Sequence, residues 1–245
     1  MADQTNATAP AGSSAGRHAV TQSPMRRAIA RRMADSKRET PHFYVQTDVE
    51  MDSLLDLLDR LNAGRPRETR LTVTGFLIRA VAQTLAEHAS FNAVWNAGVL
   101  EEIDAINIGV AIALDDGLIA PALLDCRDRS VEDLATGLAD LVARTRAGKL
   151  RAPEINDATF TLSNLGMFQV TAFTAIVTPP QVAILATART DPRAVVRDGE
   201  IVVRRMMTAT LSSDHRVVDG AGAARFLGTL KALLEAPELL AAGPA

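Results

Sequence analysis

The sequence predicts an α/β fold in which helices flank a largely mixed β-sheet. The 245 residues are 47% apolar, which is enough to bury a substantial core. Helical and strand-like apolar patterns both recur, but not in the strict strand–helix–strand order of a parallel sheet. After Pro153 most of the patterns are those of strands. Residues 1–21 are small and polar and predict a flexible tail or linker, so we expect a single domain over residues 22–245.

The first predicted helix has a basic surface. It begins at Ser23-Pro24, an N-cap followed by a proline at the first helical position. Apolar residues recur four positions apart along it, at Met25, Ile29 and Met33. Its other faces carry the cations Arg26, Arg27, Arg31, Arg32 and Lys37. Such a surface is either solvated or binds an anionic ligand, and the pattern leaves both interpretations open.

A strand and two helices follow in the N-terminal half. Residues His42 to Met51 alternate and are rich in β-forming side chains, which predicts a strand. Asp52 is a suitable N-cap for a leucine-rich helix that Gly64 closes. A further helix is predicted from Val73 to His88.

The middle of the chain predicts a hairpin-like pair of strands and another helix. The alternating segment from Ile106 to Leu114 leads through the turn Asp115-Asp116-Gly117 to a short apolar strand, Leu118 to Leu124. Ser130 then begins a capping-box sequence for a helix that runs to about Gly148.

The last part of the chain predicts strands and one final helix. Strands are expected at Ala158 to Ser163 and at Gln181 to Thr187. A hairpin should join Val195-Val196 through Asp198-Gly199 to the long strand Ile201 to Leu211. The final helix is predicted from about Gly222 to Leu234, because Pro237 follows it.

The composition excludes several function classes. With 26 basic and 29 acidic residues the net charge of −3 creates no field that would attract nucleic acid or an anionic membrane. Cys126 is the only cysteine, so neither an intrachain disulfide nor a multi-cysteine metal site is expected. No signal peptide or membrane span is visible in the sequence, and we expect a cytoplasmic protein without a metal.

One histidine stands where it could do chemistry. The strand ending at Leu211 leads into Asp214-His215-Arg216, and Asp219-Gly220 follows at the entrance of the final helix. Histidine ordinarily titrates near pH ~6.5, so a loop imidazole can take a proton from a thiol at neutral pH. The alternative is a structural turn in which Asp219 caps the helix and His215 has no chemical role.

The segment around this histidine resembles the signature of a known enzyme family. Ser213-Asp214-His215-Arg216-Val217-Val218-Asp219-Gly220 is similar to the signature of dihydrolipoyl acyltransferases, which form the catalytic core of 2-oxo acid dehydrogenase complexes. Further segments fit this family in the same order, namely 41–44, 116–121, 160–168 and 179–185. The resemblance covers roughly residues 22 to 240. It implies the CoA-dependent acyltransferase sandwich that chloramphenicol acetyltransferase also has.

The resemblance implies roles for particular residues. His215 would be the base that deprotonates the thiol of coenzyme A or of dihydrolipoamide, and Asp219 would hold its loop in shape. Ser163 would donate a hydrogen bond to the tetrahedral oxyanion, although taken alone it could be an ordinary strand-end hydroxyl. Arg26 and Arg27 would lie near the phosphates of coenzyme A or at a subunit contact. Cys126 is expected in the core or at a strand edge and not as a nucleophile.

The resemblance also implies partners. The active site would be a channel between neighbouring subunits of a homotrimer, with His215 and Ser163 contributed by different chains. No lysine precedes Lys37, so the lipoyl group would be supplied in trans by a separate lipoyl-domain protein, together with a 2-oxo acid decarboxylase. The C-terminal Leu239-Leu240 resembles the apolar tail through which such trimers form shells. Because five residues follow it, we expect trimers or a small assembly.

The acyl group and its acceptor are less closely defined by the sequence. Residues 164–168 resemble the acetyl-handling branch of the family, which favours acetyl. Gln169 stands where the family usually has glycine, and Leu114-Asp115 replaces the usual Thr-Pro. Two alternatives therefore remain open: a CoA-dependent acyltransferase with a small hydroxyl or amine acceptor, and a non-catalytic core scaffold.

Overall fold

The computed structural model describes residues 18–114 and 117–242, which fold around one mixed β-sheet. The helices are α1 Pro24–Glu39, α2 Asp52–Asn62, α3 Val73–Glu87, α4 Val131–Arg146, α5 Ala152–Asn156, α6 Gly220–Glu235 and α7 Glu238–Ala241. The strands are β1 His42–Glu50, β2 Ala93–Asn96, β3 Val99–Glu102, β4 Ile108–Val110, β5 Ile112–Leu114, β6 Gly117–Ile119, β7 Ala122–Leu123, β8 Phe160–Asn164, β9 Ala183–Thr187, β10 Asp191–Arg197 and β11 Glu200–Asp214. Short 3-10 helices lie at Arg67–Thr69 and Ala89–Phe91.

The main sheet has the strand order β1-β11-β9-β8-β4-β7, and β10 pairs with the outer part of β11. The β9–β8 and β8–β4 pairs are parallel, and the other pairs in this sheet are antiparallel. The predicted mixed sheet is therefore confirmed. Two small hairpins, β2–β3 and β5–β6, stand outside it.

Apolar side chains from the helices cover one face of the sheet. Helix α3 is buried over most of its length, and accordingly its residues are apolar on nearly all sides of the helix. The ring of Phe226 in α6 packs against Phe91 at 4.8 Å and against Phe160 of β8 at 5.8 Å between centroids. Burying side chains of this size contributes about 1.5–3 kcal/mol each. This aromatic cluster fixes the start of α6, and hence the turn before it, relative to the sheet.

The opposite face of the sheet is unusually polar. Thr208, Thr210 and Ser212 project from β11 at alternate positions and are all buried. Gln46 of β1 donates to the hydroxyl of Thr210 at 3.1 Å, and the hydroxyl of Ser212 has no hydrogen-bond partner. Ser36 of α1 donates to the carbonyl of Val177 at 2.6 Å, so α1 is attached to the segment before β9. This side of the sheet is therefore not an ordinary apolar core.

Helix α5 is held by a buried ion cluster. The carboxylate of Glu154 is 2% exposed and accepts from Arg144 of α4 at 2.5 Å. It also accepts from the backbone N–H of Arg151 at 2.8 Å and from that residue's guanidinium. These bonds, foremost the one from Arg144, lower the pKa of Glu154 to about 2. A five-residue helix would be marginal alone, and this cluster fixes it against α4.

Most predicted elements are confirmed, and one predicted cap is wrong. Ser23 caps α1 by accepting from the N–H of Arg26, as expected. Asp52 is not the N-cap of α2: Met51 occupies that position, because the Asp52 carboxylate accepts from the backbone and guanidinium of Arg205 on β11. The final helix begins two residues earlier than predicted, at Gly220. The hairpin β2–β3 and helix α5 were not predicted.

The ends of the chain and one predicted turn bear on other expectations. Residues 1–17, within the predicted tail, and Asp115-Asp116 of the predicted turn lie outside the described residues. At the C-terminus Leu240 is fully buried in the chain's own core, whereas Leu239 is 61% exposed. Within residues 18–114 and 117–242 no helix has the length and apolar character needed to cross a bilayer.

Candidate active site

His215 lies immediately after β11, at the end of the sheet where β1 begins. Its backbone N–H donates to the carbonyl of Pro41 at 3.1 Å, and its ring packs against Phe43 with 4.6 Å between centroids. The residue is exposed, and no hydrogen bond joins its ring nitrogens to another described residue. The imidazole is therefore held by packing and by its loop, and both nitrogens are free for a ligand.

The residues on either side of His215 form an ion pair. The Asp214 side chain is 2% exposed and accepts from the Arg216 guanidinium at 2.6 and 3.0 Å and from the Arg216 backbone N–H at 3.0 Å. This hydrogen bonding raises the pKa of Arg216. The guanidinium carbon also lies 5.2 Å from the centre of the Trp95 ring. The loop is thus fixed on both sides of His215.

Asp219 closes the turn that contains His215. Its carboxylate accepts from the N–H of Gly222 at 2.7 Å and caps α6. Earlier in the turn, the N–H groups of Val217 and Val218 donate to the carbonyl of Asp214. Asp219 thus acts on the first turn of α6 and not on the imidazole, and its role in shaping the histidine loop stays a prediction.

His215 and Asp219 line a cavity of about 290 Å³ beside the start of α6. The remaining wall is largely polar and includes Ser90, Arg216 and Arg225. Ser163 is not among the lining residues. A ligand in this cavity would meet the imidazole, but not the predicted oxyanion donor of the same chain.

Ser163 lies near the end of β8 and faces a separate cavity of about 750 Å³. It is 9% exposed, and it projects from the polar face of the sheet, as does Thr161 two residues earlier. The cavity lies between this face, helix α1, the β5–β6 hairpin and the segment before β9. Apolar side chains dominate its wall, among them Met25, Ile29, Met33, Ile176 and Ile184.

The arginines of α1 differ in their relation to this cavity. Arg26 and Arg32 both line it, and Arg32 donates to the carbonyl of Pro179 at 2.8 Å. Arg27 does not line it and donates instead to the carbonyl of Gln22 at 2.5 Å. Of the two arginines predicted for an anionic ligand, the structure brings only Arg26 to the cavity that holds Ser163.

Within one chain His215 and Ser163 cannot act on the same atom. The register places Ser163 opposite Ala186, and Ala186 opposite Thr210 of β11, so the two residues are separated by two strand spacings. His215 lies a further five residues along the chain from Thr210. At about 4.8 Å per strand spacing and 3.3 Å per residue, their Cα atoms are roughly 19 Å apart.

Two other residues that could do chemistry have structural roles. The Nε2 atom of His42 accepts from the N–H of Val177 at 3.0 Å, its Nδ1 faces the Thr40 carbonyl at 2.8 Å, and burial lowers its pKa. Cys126 is fully buried, and burial raises the pKa of its thiol to about 11. The predicted core position of Cys126 is confirmed. The contact between Trp95 and Arg216 was not predicted, and no sequence pattern indicates it.

Comparison with known proteins finds one acyltransferase family and relatives that belong to it. Residues 14–242 match the family described as 2-oxoacid dehydrogenases acyltransferase (catalytic domain). A dihydrolipoyllysine-residue acetyltransferase component of the pyruvate dehydrogenase complex from Rickettsia bellii is 36% identical over 218 residues, which are 88% of this chain and 52% of the relative. The chain therefore spans about half the length of this curated relative.

Solved structures agree with this match. The dihydrolipoamide acetyltransferase of Azotobacter vinelandii has a TM-score of 0.86 at 31% identity, with 91% of this chain and 93% of that chain covered. The cubic core of a pyruvate dehydrogenase multienzyme complex gives 0.86 at 32% identity, with the same coverage. A chloramphenicol acetyltransferase has a TM-score of 0.57 at 14% identity, covering 83% of this chain and 94% of that one, and shares the fold alone. The predicted sandwich fold is confirmed.

Proposed function

Because this chain belongs to the family of 2-oxoacid dehydrogenases acyltransferase catalytic domains, we propose that it transfers an acyl group between coenzyme A and a thiol acceptor, dihydrolipoamide. The observation that carries the proposal is the exposed imidazole of His215, held on a rigid turn and free of internal hydrogen bonds. Such a group can accept a thiol proton.

The spacing of three residues supports their assignment to the site. In the Azotobacter vinelandii enzyme a serine, a histidine and an asparagine were studied for their role in catalysis. They are separated by 52 and 4 residues, the same intervals that separate Ser163, His215 and Asp219 here. The third is aspartate in this chain. Because Asp219 acts through its helix cap, which asparagine can also form, the difference leaves its role unchanged.

We propose the following steps for thioester exchange. His215 removes the proton from the attacking thiol, and the thiolate adds to the carbonyl carbon of the acyl thioester. The hydroxyl of Ser163 donates to the resulting oxyanion, which stabilises the tetrahedral intermediate. As the carbonyl re-forms, the carbon–sulfur bond to the original carrier breaks, and the departing thiolate receives the proton from His215. The same base serves both directions, so Cys126 is not needed.

We propose that each complete site is formed by two chains of a homotrimer. The separation of His215 from Ser163 within one chain supports this arrangement, because a reacting carbonyl must lie about 3 Å from the donor and close to the base. A subunit contact that brings the His215 cavity of one chain to the Ser163 cavity of the next would supply both. The likeness to a cubic core also supports it, since a cube has threefold axes.

We further propose that Arg26 lies near the phosphates of coenzyme A. It lines the Ser163 cavity, and a guanidinium matches phosphate oxygens in charge and geometry. Arg27 is oriented towards Gln22, so its part in the proposal is weaker than the sequence suggested. The apolar wall beside Ser163 is suited to the carbon chain of an acyl or lipoyl group.

The wider setting belongs to the same proposal. The acyl group is acetyl, as the resemblance of residues 164–168 indicates, and the lipoyl arm is supplied by a lipoyl domain that works with a 2-oxo acid decarboxylase. We assign the protein to the cytoplasm, where a single buried thiol stays reduced.

A transfer assay tests the function. Radiolabelled acetyl-CoA is incubated with the chain and with dihydrolipoamide, and separately with a hydroxyl and an amine acceptor. We expect label on dihydrolipoamide, and we expect His215→Ala to lower kcat by about 10²–10⁴-fold, the usual contribution of a general base. His18→Ala, at an exposed position outside the cavities, is the matched control. Wild-type rates in His215→Ala, or labelling of the other acceptors alone, would contradict the proposal.

A further inference from the structure

We propose that Trp95 is a positioning residue for His215 and that it acts through the guanidinium of Arg216. The inference rests on the proposed role of His215 as the base. The inference starts from how the imidazole of His215 is held. Within the described residues, Phe43 is the one aromatic ring that packs against it. The direction of the ring nitrogens therefore depends on the backbone of the loop, which the flanking residues fix.

Arg216 is held from two directions. The carboxylate of Asp214 bonds to the edge of the guanidinium with three contacts between 2.6 and 3.1 Å. The indole of Trp95 lies against the same group, with 5.2 Å from the guanidinium carbon to the ring centre. Arginine is charged at all accessible pH values, and a cation over an indole face is attracted by the ring quadrupole. The carboxylate fixes one edge, and the indole limits rotation of the plane.

Trp95 is itself anchored to the main sheet. Its backbone N–H donates to the carbonyl of Pro180 at 2.8 Å, and the neighbouring Val94 forms a β-bridge with Gln181. The side-chain oxygen of Gln181 accepts from Thr161 of β8 at 2.6 Å. The backbone that carries the indole is therefore fixed to the segment before β9. A contact with Arg216 transmits this rigidity to the turn containing His215.

Two interpretations of the contact give different results. If Trp95 only fills space in the β2–β3 hairpin, its replacement should lower stability without a specific effect on turnover. If it positions the turn, its replacement should lower kcat more than it changes substrate binding, because the base is displaced while the larger cavity that holds Ser163 is not. Restoring an aromatic face should then restore kcat.

The activity experiment compares three variants. Cation–π contacts contribute about 0.5–2 kcal/mol, so Trp95→Leu should lower kcat by about 2- to 30-fold, with KM for both thiols little changed. Trp95→Phe should recover most of the loss. Leu100→Ala is the matched control, because Leu100 is directly opposite Trp95 in the hairpin and is 42% exposed. Wild-type kcat in Trp95→Leu overturns the proposal, as does an equal loss in Leu100→Ala or a failure of Trp95→Phe to recover activity.

A second measurement does not depend on activity. Trp95 is the only tryptophan of the 245 residues, so emission excited selectively in the tryptophan band reports on it alone. Arg216→Leu removes the guanidinium from the ring, and we expect acrylamide to quench the emission more strongly than in the wild type. Unchanged quenching would mean that the contact does not exist in solution and would overturn the proposal. If the wild type transfers no acyl group, the proposed function fails, while the quenching result still tests the contact.

Discussion

Two variants that are each inactive should restore activity when they assemble together. One lacks the oxyanion donor, Ser163→Ala, and the other lacks the base, His215→Ala. Within one chain the two residues are roughly 19 Å apart and line different cavities, and the proposed site takes one of them from each of two neighbouring chains. The Ser163→Ala chain keeps its His215, and the His215→Ala chain keeps its Ser163. In a mixed trimer an interface is complete wherever these two intact side chains meet.

The expected activity follows from counting interfaces. Every mixed trimer, whichever variant supplies two of its chains, has one interface in three that joins an intact His215 to an intact Ser163, so about a third of wild-type activity should return. Ser163→Ala alone should retain about 10⁻² to 10⁻³ of the wild-type kcat, because one oxyanion donor is lost. The restored rate should therefore exceed that of either variant by more than tenfold.

The assay uses co-expressed chains with two different affinity tags, so that only mixed assemblies are retained. As the control, the double variant lacking both side chains is co-assembled with the wild type. Among the retained mixed trimers, sites shared between chains predict about one sixth of full activity for that mixture, whereas sites within one chain predict about half. Mixed trimers of the single variants that are no more active than the separate variants would refute the two-chain site.

Two further predictions concern buried groups. Glu154→Gln should lower the free energy of unfolding by about 3 kcal/mol, the lower end for breaking a buried ion pair, and should lower Tm by about 6–12 °C at pH 7. As the control, Arg38→Ala at an exposed ion pair should have little effect. Because the pKa of Glu154 is lowered to about 2, the stabilisation by its ion cluster is complete above the ordinary glutamate pKa of 4.5 and is lost as pH falls towards 2. The Tm difference between the wild type and Glu154→Gln should therefore narrow between pH 5 and pH 3.5. A constant difference would contradict the assignment. Cys126, fully buried with its pKa raised to about 11, should resist alkylation in the folded protein, and labelling with loss of activity would contradict its core role.

Local sequence patterns were sufficient to predict helix caps in which a side chain bonds to a backbone N–H nearby in the sequence. Ser23 was predicted to cap a helix, and a cap by Asp219 was one of two interpretations of its turn; each residue accepts from an N–H three residues later. Asp52 has the same capacity, but Arg205 is distant in sequence and takes its carboxylate. No local pattern can indicate that competition. The β2–β3 hairpin was missed because its turn uses Ala97 at a φ of 49°, where alanine is uncommon, and because β3 is exposed throughout.

The candidate site was only partly predictable for a related reason. The resemblance gave His215, Ser163 and Asp219 from short motifs, and the structure places Ser163 in β8 and the other two between the end of β11 and the start of α6. Their assignment to different cavities depends on the register of three strands, which the motifs do not contain. The same is true of Trp95, which reaches Arg216 across about 120 residues of sequence through the pairing of its hairpin with the segment before β9.

Under the proposed function, the arginines of the Ser163 cavity determine how its charged groups withstand a reactive thioester substrate. Thioesters acylate free amines without catalysis, and a lysine at the cavity would be modified by the compound it helps to hold. Arg26 and Arg32 supply positive charge there as guanidinium groups, which stay protonated and do not attack a carbonyl. The whole chain has three lysines, Lys37, Lys149 and Lys231, and none lines the cavity. The charged rim can thus meet reactive acyl groups through many turnovers without losing its charge.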